Sequence, residues 1–256
     1  VCVTLKSGTL NSTFSGDGKS YAVFAGSTTD SNKDSKTSFV MDGGKLEARD
    51  YGLCIYNGTA IINDGVISAN TGISGNGGSG DGTTLTINGG TISSIYHPQN
   101  GLLTINGGTI TGETAVYFKS GSLIITGGSL VGNGEKVAYA FDGSGCISTG
   151  DALVIENVNG DTGYDKISSV SVSGGSFTSV NAAAVASYTP ADDADGKYGD
   201  NAQSTIPETS LATKKVTAFI TGGTFSSNPS AYIASGYEVV QPGNSYLVQK
   251  YVDRSS

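Results

Sequence analysis

Hard oxygen ligands cluster once in this chain. Asp192, Asp193, Asp195, Asp200 and Asn201 surround Gly196, and carboxylate and amide oxygens at that density are the donors calcium prefers. The spacing is not that of an EF-hand. With Gly196 on the invariant glycine, Ala191 falls on the first ligand position and Ala202 on the final glutamate. Calcium at Asp193, Asp195 and Asp200 is thus an expectation carried by acid density alone, and no other cofactor is implied. The single histidine, His97, excludes multi-histidine zinc sites. With Tyr96 before it, Pro98 after it and no acid nearby in sequence, it reads as a surface residue rather than a catalyst. Arg49 sits between Glu47 and Asp50, which reads as a surface ion pair.

Aromatic chemistry is the other candidate. The chain has 13 Tyr and no Trp, and an exposed tyrosine offers a sugar a flat apolar face with a hydroxyl at its edge. Tyr56, Tyr96, Tyr117 and Tyr139 all fall on short apolar stretches whose side-chain parity the pattern leaves open. Facing outward, Tyr56, Tyr96 and Tyr117 would line a carbohydrate-binding face; facing inward, they would fill the core. Both readings stand for Tyr96 and Tyr117, while Tyr139 reads as core.

An eight-residue register must position these groups: apolar, any, apolar, polar, Gly, Gly, small, apolar. Leu85 to Ile92 (LTINGGTI) and Leu103 to Ile110 (LTINGGTI) are identical copies. Leu123 to Leu130, Val170 to Phe177 and Ala218 to Phe225 follow the same pattern, as do Val3 to Leu10, Phe39 to Leu46 and Ala60 to Ile67 upstream. A divergent copy starts at Leu153 (LVIENVNG). Recurrence of this kind is the signature of stacked repeats, none of which can bury its apolar face alone. Alternating apolar positions 1 and 3 specify a strand with one buried face, and the glycines supply a corner where positive φ costs little. A second apolar strand follows in many copies: Tyr21-Ala22-Val23-Phe24, Leu53-Cys54-Ile55, Ala115 to Phe118, Val137 to Phe141, and Ala184-Val185. The expected fold is all-β, a single-stranded parallel β-helix of about nine coils, stacked about 4.8 Å apart into a rod of roughly 40 Å. The polar fourth positions Asn63, Asn88 and Asn106 would then form an amide ladder up the rod rather than a ligand stripe.

Departures from the register place inserted loops at 26–38, 75–83, 142–151 and 187–214, where function in a solenoid usually resides. The run Gly77-Gly78-Ser79-Gly80-Asp81 reads as loop. Residues 1–226 are expected to form the solenoid and 227–256 its C-terminal cap, as one structural domain. Asn228 to Ala234 reads as a helical turn or two with Pro229 at its first position. Pro242-Gly243-Asn244 between two apolar runs signals a hairpin. No lid precedes Val3, so the native protein is expected to continue upstream. On this stacking Cys54 and Cys146 lie some four coils apart, roughly 20 Å, beyond the reach of a disulfide. Cys2 opens a different coil, so unpaired thiols are expected throughout.

Composition narrows the classes. In 256 residues there are 39 Gly, 14 basic and 22 acidic side chains, a net charge of −8. That balance opposes nucleic acid, which needs clustered cations, and no apolar run is long enough to span a membrane. Few cysteines, little charge and abundant Ser, Thr, Asn and Gly suit an extracellular or bacterial cell-surface setting. No leader is visible at Val1-Cys2-Val3-Thr4.

The GGTI and GGTF octads resemble the right-handed parallel β-helix of the pectin-lyase-like superfamily. More narrowly, the stretch from Gly222-Gly223-Thr224-Phe225 to Gly236-Tyr237 resembles repeat modules of bacterial surface proteins, many from gut anaerobes. The resemblance implies a shape rather than a chemistry, and with the preference of parallel crossovers it implies right-handed winding. The superfamily's polygalacturonase-type hydrolases carry Asn-Thr-Asp, Asp-Asp, Gly-His-Gly and Arg-x-Lys motifs. Here the one Asp-Asp is Asp192-Asp193, inside an insert, and the other three are absent. Arg49 with Asp42 and Glu47 is the one grouping that approaches a lyase-type site, and it lacks the rest of that pattern. The expectation is a non-enzymatic surface module for adhesion, glycan binding or display, its partner a host or bacterial surface glycan or protein. The alternative is a carbohydrate-active lyase or hydrolase with a non-standard site around coils two to five.

Overall fold

A computed structural model describes residues 1–26, 37–75, 82–136, 140–141, 148–156, 167–188, 204–205 and 216–253. The calcium candidates Asp193, Asp195 and Asp200, most of the four expected loops, Tyr139 and Cys146 lie outside the described residues.

The chain is all-β and dominated by three long sheets. The first stacks Cys2–Leu5, Thr37–Met41, Gly58–Ile62, Thr83–Ile87, Gly101–Ile105, Gly121–Ile125 and Ile167–Val172, every neighbour parallel. The second takes the strand that follows each of these around a corner, from Thr9–Asn11 to Ser176–Ser179, and adds Gly223–Phe225 beyond them. The third runs from Tyr21–Gly26 through Tyr51–Tyr56, Thr71–Ser74, Ile95–His97, Val116–Phe118 and Leu153–Glu156 to Val185–Tyr188. A chain that visits the three sheets in rotation and pairs each strand with its counterpart one circuit away has the connectivity expected of a β-helix solenoid.

Register explains the core. Positions 1 and 3 of the octads point inward from the first sheet, as in Leu85 and Ile87 against Leu103 and Ile105. Position 8 points inward from the second, as Ile67, Ile92 and Ile110. Leu53, Ile73, Ile95, Val116 and Leu153 close the third side. All belong to one continuous apolar cluster, in which like side chains sit above like.

The Gly-Gly corner has two separate causes. At the second glycine the backbone is left-handed, with φ of +84° at Gly90 and +82° at Gly108, a region in which a side chain is strained. The first glycine is demanded by proximity. A Cβ on Gly107 would lie 2.4 Å from the carbonyl oxygen of Asn88 in the coil below, and one on Gly89 equally close to that of Asn63. Beside this corner the expected ladder is present: Asn63 donates to Asp42 (2.8 Å), Asn88 to Asn63 (2.8 Å), Asn106 to Asn88 (2.9 Å) and Thr126 to Asn106 (2.8 Å).

Two expected strands are placed differently. From the Leu153 octad, Leu153–Glu156 lies in the third sheet, where Leu153 faces Val116 on one side and Val185 on the other. The first sheet passes directly from Gly121–Ile125 to Ile167–Val172. The Val137 to Phe141 stretch, expected in that third-sheet slot, instead contributes Ala140–Phe141 to a separate antiparallel pair with Ser204–Thr205. Apolar alternation alone does not say which side of the solenoid a strand serves. At the C-terminal end a single 3-10 turn, Ser230–Tyr232, follows Pro229. Tyr237–Val240 and Tyr246–Lys250 then form an antiparallel hairpin that pairs onto Gly223–Phe225.

Replacing Gly107 or Gly108 with Ala should each lower stability by about 1–3 kcal/mol, whereas Asn88→Ala, which removes two exposed hydrogen bonds, should cost about 1 kcal/mol. Urea unfolding midpoints of the three variants check the order; an Asn88 effect exceeding both glycine effects would reverse the assignment.

Candidate functional site

The corner between the second and third sheets varies in length from coil to coil. Ile67 and Ile73 are six positions apart, Ile92 and Ile95 only three, and Ile110 and Val116 six again, although each residue stacks on its counterpart. The middle coil therefore cuts its corner short between two neighbours that bulge, and the surface there is concave. The groove has a volume of about 690 Å³ and is lined by Ala69, Asn70 and Thr71 from the coil on one side, Ser93 to Tyr96 on the short coil, and Thr111 to Thr114 with Tyr117 on the other, completed by Ser148.

Hydroxyls and amides dominate its walls. Some already serve the fold: Ser93 accepts from the backbone NH of Ala69 (3.1 Å), and Thr114 accepts from that of Thr149 (2.9 Å). Glu113 is exposed; of the described lining residues it alone is ionisable with a charge at neutral pH. Backbone geometry presents these groups because Thr109–Gly112 ends where the corner begins.

Tyr96 and Tyr117 pair in register on the third sheet, one residue beyond the inward-facing Ile95 and Val116, so both leave the outer face. They meet edge to face at 6.1 Å between ring centres. Tyr96 is half-buried, but Tyr117 is only 3% exposed. The Tyr117 hydroxyl donates to Glu156 Oε2 (2.5 Å), which also receives the Lys119 ammonium at 3.5 Å. Lys119 Nζ lies 5.8 Å from the Tyr96 ring centre and 5.7 Å from that of Tyr117, within range of both π faces. Lys119 and Glu156 are fully buried, so one carboxylate and two rings compensate an ammonium withdrawn from water.

Tyr56, expected to share this face, is not a groove residue. It belongs to a separate aromatic group near the start of the solenoid, with Phe24 edge-on at 5.0 Å and Tyr21 stacked on Tyr51 at 5.1 Å. Burial, and then the Cys54 thiol, pushes the Tyr56 phenol well above its usual range, and burial pushes Cys54 itself up to about 11. Cys2 and Cys54 are both free. Arg49 does pair with Asp50 (2.9 Å), and it also donates to the carbonyls of Gly16 and Gly18, tying the first coil's loop to the second. Its hydrogen bonds, with those from Ser20, hold Asp50 down to about 2. Glu47 pairs with Lys45 instead.

His97 is a correction. It is 1% exposed, points into the solenoid and stacks on Phe118 at 5.4 Å with rings 6° from parallel. Its parity with Ile95 places it there. Among the described residues no group of three or more His, Cys, Asp or Glu gathers to hold a metal, and no helix is long and apolar enough to cross a membrane.

Sequence reasoning found Tyr96 and Tyr117 but missed Asn70, Thr71, Ser93, Ser94, Thr111, Glu113, Thr114, Lys119 and Glu156. The available signal was the shortened link Ile92-Ser93-Ser94-Ile95 set against Ile67 to Ile73 and Ile110 to Val116. No family model matches the chain, and no curated protein or solved structure matches it either.

Desolvation holds His97 down to about 4, whereas in the unfolded chain it protonates near 6.5. The unfolded state therefore binds more protons between these values, and stability should fall by about 3 kcal/mol as pH drops from about 6.5 to about 4. His97→Phe should flatten that part of a pH–stability profile measured by urea unfolding; an unchanged slope would assign the acid sensitivity to other groups.

Proposed function

We propose that this chain is a non-enzymatic glycan-binding module of an extracellular, bacterial-type surface protein, and that it holds an oligosaccharide in the groove over the shortened corner. The observation that carries this reading is the combination of a partly exposed tyrosine with rows of Ser, Thr and Asn on three successive coils. Sugars present alternating apolar faces and hydroxyl edges, and a site of this composition matches both. A groove that crosses coils at a fixed spacing also suits a chain of regularly repeated units. We read the solenoid as a right-handed β-helix, following the strong bias of parallel crossovers. The 3-10 turn and hairpin act as the cover that a repeat array needs at its end.

Hydrolysis of a glycosidic bond normally needs two carboxyl groups about 5–10 Å apart across the bond. Glu113 is the one carboxylate among the described lining residues, which favours holding a glycan over cutting it.

A glycan array followed by calorimetry on the best ligand tests the reading. Tyr96→Ala should weaken binding at least about tenfold, while Tyr56→Ala should leave it unchanged. Inserting Thr-Gly-Glu between Ser93 and Ser94 restores the neighbours' corner length, and it should abolish binding without altering the far-ultraviolet dichroism. Release of new reducing ends, or affinity that survives the insertion, would overturn the proposal.

A further inference from the structure

The charge pattern of the groove narrows the class of glycan, on the premise that the groove is the binding site. Among the described lining residues one is ionic, Glu113, whose exposed carboxylate has no ion-pair or hydrogen-bond partner among the described residues. Of the described cations nearby, exposed Lys136, two residues beyond the Gly134 whose NH donates to the Glu113 carbonyl, does not line the groove, and Lys119 is unavailable. It is fully buried on the outer face of the third sheet, bound to Glu156 and set against the rings of Tyr96 and Tyr117. Reaching a ligand would require it to abandon that carboxylate in a site without water, an exchange that strands a buried charge. Every other described polar group of the lining is a neutral hydroxyl or amide. The whole chain adds to the same sign, with a net charge of −8.

We infer that Glu113 determines specificity: the groove takes non-acidic saccharides and rejects those carrying carboxylate or sulfate groups. An acidic sugar seated between Asn70 and Thr114 would bring its charge beside Glu113 with no cation among the described lining residues to offset it. An uncharged sugar meets no such cost, and the hydroxyls of Thr71, Ser94 and Thr111 serve it as donors and acceptors alike. Binding is thus selected by repulsion of the wrong class as much as by attraction of the right one. A like charge a few ångströms away at a partly solvated site is expected to discriminate by roughly tenfold, and to do so less as salt rises.

The test compares wild type with Glu113→Gln on matched neutral and acidic oligosaccharides, cellohexaose and mannohexaose against hexagalacturonate and a sulfated hexaose, by calorimetry at low and high salt. Wild type should bind the better neutral ligand at least about tenfold more tightly than either acidic one, with the gap narrowing in 1 M salt. Glu113→Gln should bring the acidic ligands to within about threefold of the neutral ligand measured on the same variant. Acidic ligands that bind wild type as well as neutral ones do, or a ratio unmoved by Glu113→Gln, would overturn this inference while leaving the groove as the site. Binding of no ligand from either class would overturn the groove reading itself, and this inference with it.

Discussion

Close approach of successive backbones at one corner is the constraint on which the solenoid depends. The carbonyl oxygen at the polar fourth position of one octad, as at Asn63, Asn88 or Asn106, sits where a side chain on the first glycine of the next would have to be. That contact fixes the vertical spacing at the corner, and the left-handed second glycine then turns the chain into the second sheet. Inward side chains can repeat in register only because this corner repeats first. The amide ladder from Asp42 to Thr126 lies along the same edge and reinforces the alignment. Two of these octads carry another residue there, Ser7 in the first and Asp64 in the third. The Asp64 carboxylate accepts the backbone NH of Gly65 at 2.7 Å.

This explains which features were legible in the residues. Eight of the nine octads lie on the path from first sheet to second, because glycine pair, alternation and position 8 are all consequences of one geometric need. Leu153 to Gly160 has the alternation without the glycine pair, and its described part, Leu153–Glu156, serves the third sheet instead. Alternation reports a buried face; the glycine pair reports which corner follows. His97 misled for a related reason. Proline behind it and no acid nearby describe its neighbours in sequence, whereas its position two residues after Ile95 decides that it faces the core.

The groove was illegible in a different way. No residue type marks it, since Ser, Thr and Asn are abundant everywhere in this chain. It arises from a difference in corner length among three coils, a property visible only once their registers are aligned. Tyr96 and Tyr117 stood out as aromatics, but their parity required knowing that Ile95 and Val116 are the inward partners. Tyr56 shares their outward parity on another coil yet has no shortened corner beside it, and it packs with Phe24.

Outward parity ordinarily means exposure, and the third sheet departs from that rule. Tyr117, Val154 and Glu156 leave its outer face and are nonetheless buried, as is Cys54 two coils before Tyr96. A strand buried on both faces gains apolar contact but must also satisfy whatever polar groups it carries. Lys119 and Glu156 meet part of that demand through each other, through the Tyr117 hydroxyl and through two aromatic faces. Removing either charge would leave its partner stranded, so the cluster tolerates little rearrangement. The cluster adjoins the groove through Tyr117, whose ring meets that of Tyr96 edge to face, and on the proposed reading it holds the stacking surface for a saccharide in one orientation. Preorganisation of this kind lowers the ordering cost of binding. A single aromatic face can then contribute usefully to a site otherwise made of small polar side chains.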